Sequence, residues 1–306
     1  MDDAATPHQV EVGVDGSDGA RAALAWGLRE AQLRGGAVRP VTVWPADPPP
    51  HAHDAGIGPP GVADLERDVR SRMGTEAAEV AASTGCEAVP VHPEVRYGQP
   101  AQQLVDTAGN GLLVVGSRGR GGLRGALLGS VSQQCAQYAR GPVVVVRDDD
   151  STHGAVLWQH AASRVVVGVD GSAGSAAALR FAAAEARLRG GEVHVVHAWM
   201  DTVSGYGGPP WAVPVTTLRQ QADDTLRESL QDAWRNGPAG VGVRAETVEG
   251  VEWDVLTQAA EAADLLVVGS RGRTGWSSLL LGSVGLRCVT HAPCPVAVVR
   301  PSPAEG

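Results

Sequence analysis

The sequence predicts an α/β protein made of two tandem, doubly wound, five-stranded parallel-sheet domains, Rossmann-like in layout, each with strand order 3-2-1-4-5. Three observations predict it. Short apolar runs rich in Val and Leu alternate with longer segments of helical spacing, the pattern of repeated βαβ units with right-handed crossovers. The segment LLVVGSRGRGGLRGALLGSVSQ from Leu112 returns as LLVVGSRGRTGWSSLLLGSVGL from Leu265, placing Gly116 and Gly269 153 positions apart. The VGVDGS of Val12 to Ser17 returns at Val167 to Ser172, so the 306 residues divide into two halves of ordinary domain size.

Taken in order, Val10 to Val14 reads as a buried strand ending in Asp15-Gly16-Ser17, and Ala20 to Leu33 carries Ala, Leu and Trp at helical spacing. Ala37 to Trp44 returns to strand character, and the Pro/Gly stretch after it cannot hold regular structure. His51, His53 and Asp54 lie in that stretch; an HxH without further ligands nearby reads as a solvated loop rather than a metal site. A helix over Val62 to Ser83, a strand near Ala88 to Val95 and a short helix over Gln99 to Ala108 lead to the strand at Leu112. A helix from Ser130 and the strand Val143 to Val146 close the half. The composition of Asp148 to Ser163 is that of a linker, which sets the domains at 1–148 and 164–306 with the linker at 149–163. The second half repeats the plan, with Glu192 to Trp199 as its second strand. His194 and His197 are three apart on that strand and face opposite sides, so they serve packing and share no metal.

Composition excludes several classes. A net charge of −9 argues against a nucleic-acid or anionic-membrane partner, since both require a basic face. All 25 basic residues are arginine, and without lysine there is no Walker-type phosphate loop. The four cysteines form no CxxC, and Cys135 and Cys288 fall at equivalent places inside predicted helices, as buried structural thiols do. An acidic first segment without an apolar core, and no apolar run of membrane-spanning length, lead to the expectation of a cytoplasmic protein.

The chemistry concentrates in the repeated loop. Each copy runs from an apolar strand through Gly116-Ser117-Arg118-Gly119, or Gly269 to Gly272, and nine residues later reaches Gly129-Ser130, or Gly282-Ser283, and a helix. Glycine lets another group approach the backbone, a helix start offers unpaired N–H groups, and the arginines add fixed positive charge, so the loop suits phosphate. Ser130 and Ser283 are expected at the N-cap. In a doubly wound sheet the ligand sits beyond the strand ends where strand order reverses, which brings Asp15 beside Gly116 and Asp170 beside Gly269. An acidic acceptor beside a phosphate loop suits a nucleotide.

On these residues the chain resembles a tandem universal stress protein of the ATP-binding type, over nearly its whole length. The family spacing of two glycines three apart, nine residues, then Gly-Ser is met by Gly116, Gly119, Gly129, Ser130 and by Gly269, Gly272, Gly282, Ser283. The resemblance implies that Gly13, Val14 and Asp15, with Gly168, Val169 and Asp170, border adenine or ribose, and that Val43 and Ala198 line the base pocket. It assigns the phosphates to Arg118, Arg271 and the loops, with the backbone of Val131 and Val284 and the hydroxyl of Ser132. Gly285 stands where the first motif has Ser132, and Glu11 replaces the apolar residue found at Val166. The implied function is a stress regulator without dedicated catalysis that binds ATP, with or without Mg2+, pairs as a homodimer of tandem chains and acts on an unknown protein partner. The rival is an ATP-hydrolysing or adenylate-transferring enzyme of related fold; such synthetases carry Ser-Gly-Gly-x-Asp-Ser after strand 1, which VDGSDG and VDGSAG lack.

Overall fold

The computed structural model describes residues 9–44, 62–119, 128–147, 163–200, 213–234, 240–272 and 281–301. The chain splits into two units, residues 1–156 and 157–306. The first contains β1 (Gln9–Gly13), α1 (Asp18–Arg34), β2 (Ala37–Trp44), α2 (Val62–Thr84), β3 (Glu94–Tyr97), α3 (Pro100–Ala108), β4 (Leu112–Gly116), α4 (Ser130–Tyr138) and β5 (Val143–Val146). The second contains β6 (Arg164–Gly168), α5 (Ala173–Leu188), β7 (Glu192–Trp199), α6 (Val215–Ala233), β8 (Gly242–Glu249), α7 (Glu252–Ala259), a 3-10 turn (Ala260–Ala262), β9 (Leu265–Gly269), α8 (Ser283–His291) and β10 (Val296–Val299). The segment holding His51, His53 and Asp54, and the loop arginines Arg120 and Arg273, lie outside the described residues.

Within the first unit the sheet order is β3-β2-β1-β4-β5, and within the second β8-β7-β6-β9-β10, every pairing parallel. This is the 3-2-1-4-5 order expected from the sequence. The central strands are buried on both faces: Val10, Val12, Val38, Val41 and Leu112 to Val115 in one unit, Val165 to Val167, Val193, Val195 and Leu265 to Val268 in the other. Helices must therefore cover both sides. A Cβ on Gly27 of α1 would meet the Val12 side chain, whereas a Cβ on Gly13 would meet Leu104 of α3; because residues 12 and 13 point to opposite faces, so do the two helices.

One boundary differs from expectation for a physical reason. The segment expected as a strand from Ala88 joins the sheet only by an isolated bridge, Val38 to Val91, until β3 begins at Glu94. Val38 N donates to Pro90 O and His92 N to Val38 O, but the next donor on β2 would be Pro40, which has no N–H, so the ladder breaks there. The equivalent strand β8 has no proline and pairs with β7 over all eight residues. The four cysteines are buried and form no disulfide, and burial pushes the Cys135 and Cys288 thiols up to about 12, leaving them protonated and inert at neutral pH. Among the described residues no helix is long and apolar enough to cross a membrane.

Candidate functional site

At the end of β1 the chain must turn sharply into α1, and Gly16 at φ 77° makes that turn, as Gly171 does at φ 80° in the second unit. Ser17 then does three things. Its N–H donates to Asp15 Oδ1 at 3.0 Å, its hydroxyl donates to the same oxygen at 2.6 Å, and its Oγ accepts from Ala20 N at 3.2 Å as the N-cap of α1. Ser172 holds Asp170 and caps α5 in the same way, with N–H to Asp170 Oδ1 at 3.0 Å and Ser175 N to its Oγ at 3.1 Å. Each carboxylate is thus aimed by its own turn. Val14 behind it is buried; its N–H donates to Val41 O at 2.9 Å and its carbonyl accepts from Thr42 Oγ1 at 2.9 Å. In the second unit Val169 N donates to Val196 O at 3.0 Å, and His197 Nδ1 donates to Val169 O at 2.7 Å.

The neighbouring strand end carries the glycine loop, and its three glycines have three different surroundings. A Cβ on Gly116 would lie 2.5 Å from Gly19 C and 2.6 Å from Gly19 O, so β4 can run beside the first turn of α1 only as glycine; Gly269 meets Gly174 similarly at 2.9 and 3.0 Å. A Cβ on Gly119 would lie 2.5 Å from Asp15 Oδ2, and one on Gly272 would lie 2.6 Å from Asp170 Oδ2. The second glycine therefore brings the loop backbone against the carboxylate, which places the predicted acidic acceptor and the predicted loop together. Gly129 and Gly282 are less constrained: at φ −72° and −60° any residue is allowed, and among the described residues a Cβ would come nearest to Ser117 O at 3.3 Å, a close contact, and to Ser270 O at 3.6 Å, an ordinary one. The loops are closed below them by Gly129 N to Ser117 O at 2.7 Å and Gly282 N to Ser270 O at 2.9 Å.

The expected N-caps are corrected here. Gly129 and Gly282 occupy the cap positions, while Ser130 and Ser283 are the first helical residues, exposed, and neither α4 nor α8 has a side-chain cap hydrogen bond. α1 and α5 at the same sheet edge are capped by Ser17 and Ser172. Each unit therefore pairs a helix start satisfied by its own serine with one whose glycine N-cap has no side chain to offer. Ser132 departs from its expected place as well: its buried hydroxyl donates to Gly116 O, holding the end of β4. Val131, Val284, Val43 and Ala198 are partly exposed, as are Arg118 and Arg271 within the loops, and Gly13 and Gly168 close the strands under them. The sequence reading missed Ser17 and Ser172, whose repeated Asp-Gly-Ser was the available signal, and also Arg300, which burial and the neighbouring Arg271 guanidinium hold below its ordinary value. His194 binds Glu246 Oε1 through Nε2 at 2.6 Å, so the two β7 histidines have separate partners on opposite faces.

The model of the universal stress protein family matches residues 8–147 and again residues 162–300, each match spanning one complete set of five strands. The chain belongs to the universal stress protein family. Similar members of the family have the same tandem length. A universal stress protein of Mycobacterium tuberculosis is 36% identical over 296 residues, covering 95% of this chain and 96% of that protein. One of Mycolicibacterium smegmatis is 35% identical over 319 residues, covering 98% of this chain and all of that protein. Among solved structures, a universal stress protein from Archaeoglobus fulgidus superposes with a TM-score of 0.62 over 97% of both chains at 20% identity, a likeness of fold.

Proposed function

We propose that each unit of this universal stress protein binds one adenine nucleotide, ATP, and that the occupied protein acts as a stress-response regulator without dedicated catalysis. One observation carries the reading. Gly129 and Gly282 sit at helix starts with no side-chain cap, their torsions suit any residue, and among the described residues a Cβ there would meet only the carbonyls of Ser117 and Ser270, at 3.3 and 3.6 Å. Ser, Asp or Asn would stabilise an N-cap by about a few tenths of a kcal/mol more than glycine, so glycine here gives up a little stability and puts no side chain of its own in the space above the helix N–H groups. Phosphate uses both the space and the N–H groups. The carboxylates of Asp15 and Asp170, held by their serines against the loop backbone, would accept from ribose hydroxyls, and Val43 and Ala198 would border the base. Ser132, occupied with Gly116 O, would support the loop rather than touch phosphate. Among the described residues no cluster of three or more His, Cys, Asp or Glu could hold a metal, so Mg2+ would arrive on the phosphates of the nucleotide itself.

An acidic protein without lysine must hold a polyanion by local donors, which makes Arg118 and Arg271 the test. A charge-assisted hydrogen bond contributes about 1.5 to 3 kcal/mol, or about ten- to a hundredfold in affinity. Arg118→Ala with Arg271→Ala is expected to weaken ATP by that factor and to leave adenosine unchanged, measured by titration calorimetry. Equal loss of ATP and adenosine, or no loss of either, would sink the assignment of these loops to phosphate.

A further inference from the structure

The two loops share their backbone hydrogen bonds but not their side-chain support. In the first unit, Ser117 N donates to Val146 O at 2.6 Å, and the carbonyl of the same peptide, Gly116 O, accepts from Ser132 Oγ. Both ends of the peptide that opens the loop are held. In the second unit, Ser270 N donates to Val299 O at 2.8 Å, but Gly285 stands in the place of Ser132, so that position offers Gly269 O no hydroxyl. A second difference lies one residue on. Among the described residues the Ser270 hydroxyl is fully buried without a hydrogen-bond partner, whereas its counterpart Ser117 makes a further polar interaction. A buried hydroxyl left unpaired raises the energy of the conformation that holds it, and a loop with fewer restraints has more alternatives to give up when a ligand fixes it.

We infer that Ser132 is a positioning residue that preorganises the first loop, and that the two sites are consequently unequal, the first binding ATP more tightly than the second. This rests on the nucleotide reading of the loops. The difference is exchangeable, because a Cβ on Gly285 would lie 3.6 Å from Gly269 O, within reach for a serine hydroxyl, with only the tip of the Leu281 side chain closer, at 3.1 Å. The swap Gly285→Ser therefore asks a flexible side chain to yield by a few tenths of an ångström.

The test measures ATP affinity by titration calorimetry in Gly282→Val, which leaves the first site, and in Gly129→Val, which leaves the second. The first site is expected to bind about tenfold more tightly, the factor that corresponds to one hydrogen bond. Adding Ser132→Gly to the first-site protein is expected to bring it to the second site's affinity, Ser132→Thr to retain most of the original, and Gly285→Ser in the second-site protein to tighten it by a similar factor. Adenosine, which has no phosphate to meet the loop, is expected to bind unchanged throughout. A merely structural effect of Ser132 would move adenosine and ATP together and would overturn the inference, as would equal ATP affinities at the two wild-type loops. Should Gly285→Ser fail to fold, Ser132→Gly adds no volume and decides the matter alone. Absence of ATP binding even to the unmutated protein would instead overturn the nucleotide reading on which the inference stands.

Discussion

Valine at both Gly129 and Gly282 is expected to abolish ATP binding while leaving the fold in place. Neither position needs glycine for its torsions, and a Cβ at each fits without a contact under 3.3 Å. The cost to the folded chain is the weaker N-cap, of the order of 1 kcal/mol per helix. The cost to the ligand is larger, because the two methyl groups fill the space above the first N–H groups of α4 and α8. Alanine at Gly116 is the informative contrast: its Cβ would collide with the α1 backbone at 2.5 Å, so that variant is expected to unfold or rearrange. Circular dichroism and calorimetry on the two variants therefore separate packing glycines from binding glycines. A double valine variant that still binds ATP would contradict the placement of phosphate at these helix starts.

The second large effect concerns stability and pH, through Glu11. This residue sits mid-strand in β1, 5% exposed, where the second unit has Val166. Its Oε1 lies 3.5 Å from Arg39 Nη1, its Oε2 has no hydrogen-bond partner, and Arg39 is shared with Glu94, which also binds Arg96. Burial raises the carboxyl to about 7, with Glu94 adding to the rise and Arg39 and Arg96 opposing it. The sign follows from proton counts. Below 4.5 both folded and unfolded chains are protonated there; between 4.5 and about 7 only the folded chain holds the proton, so stability falls as pH rises; above 7 the loss is complete. Over that interval the loss amounts to about 3 kcal/mol at 1.36 kcal/mol per unit. Glu11→Gln removes the titration, so its stability relative to wild type is expected to improve by about this amount between pH 4.5 and pH 8, read from paired denaturation curves. A difference between the two proteins that is independent of pH would contradict the burial of a titrating carboxyl.

The sheet order and the glycine loops were legible because they depend on local, repeated signals: uniformly apolar strands, turn residues and the same spacing twice. What was not legible depends on which atoms approach in space. Nothing in the spacing of Gly116, Gly119 and Gly129 says that the first clears a helix, the second a carboxylate and the third, among the described residues, only the Ser117 carbonyl. Ser130 read as a cap because serine favours caps, but the loop closes one residue earlier, at Gly129, through Ser117 O. Ser132 read as a phosphate donor because it stands in the motif, yet one helical turn geometry directs it back to Gly116 O. Glu11 read as a packing change, since a sequence shows the substitution but not the three charged neighbours that face it. The strand over Ala88 to Val95 is interrupted because Pro40 on the neighbouring strand has no N–H for His92 O, a signal that was present and outweighed by the apolar pattern around it.

The central claim is that both crevices are adenine-nucleotide sites. Titration calorimetry of the intact chain with ATP, beside adenosine as the phosphate-free control, tests it most directly. The account predicts saturable binding of two ATP per chain, with adenosine weaker at both sites. No heat of binding with ATP at millimolar concentration would contradict it.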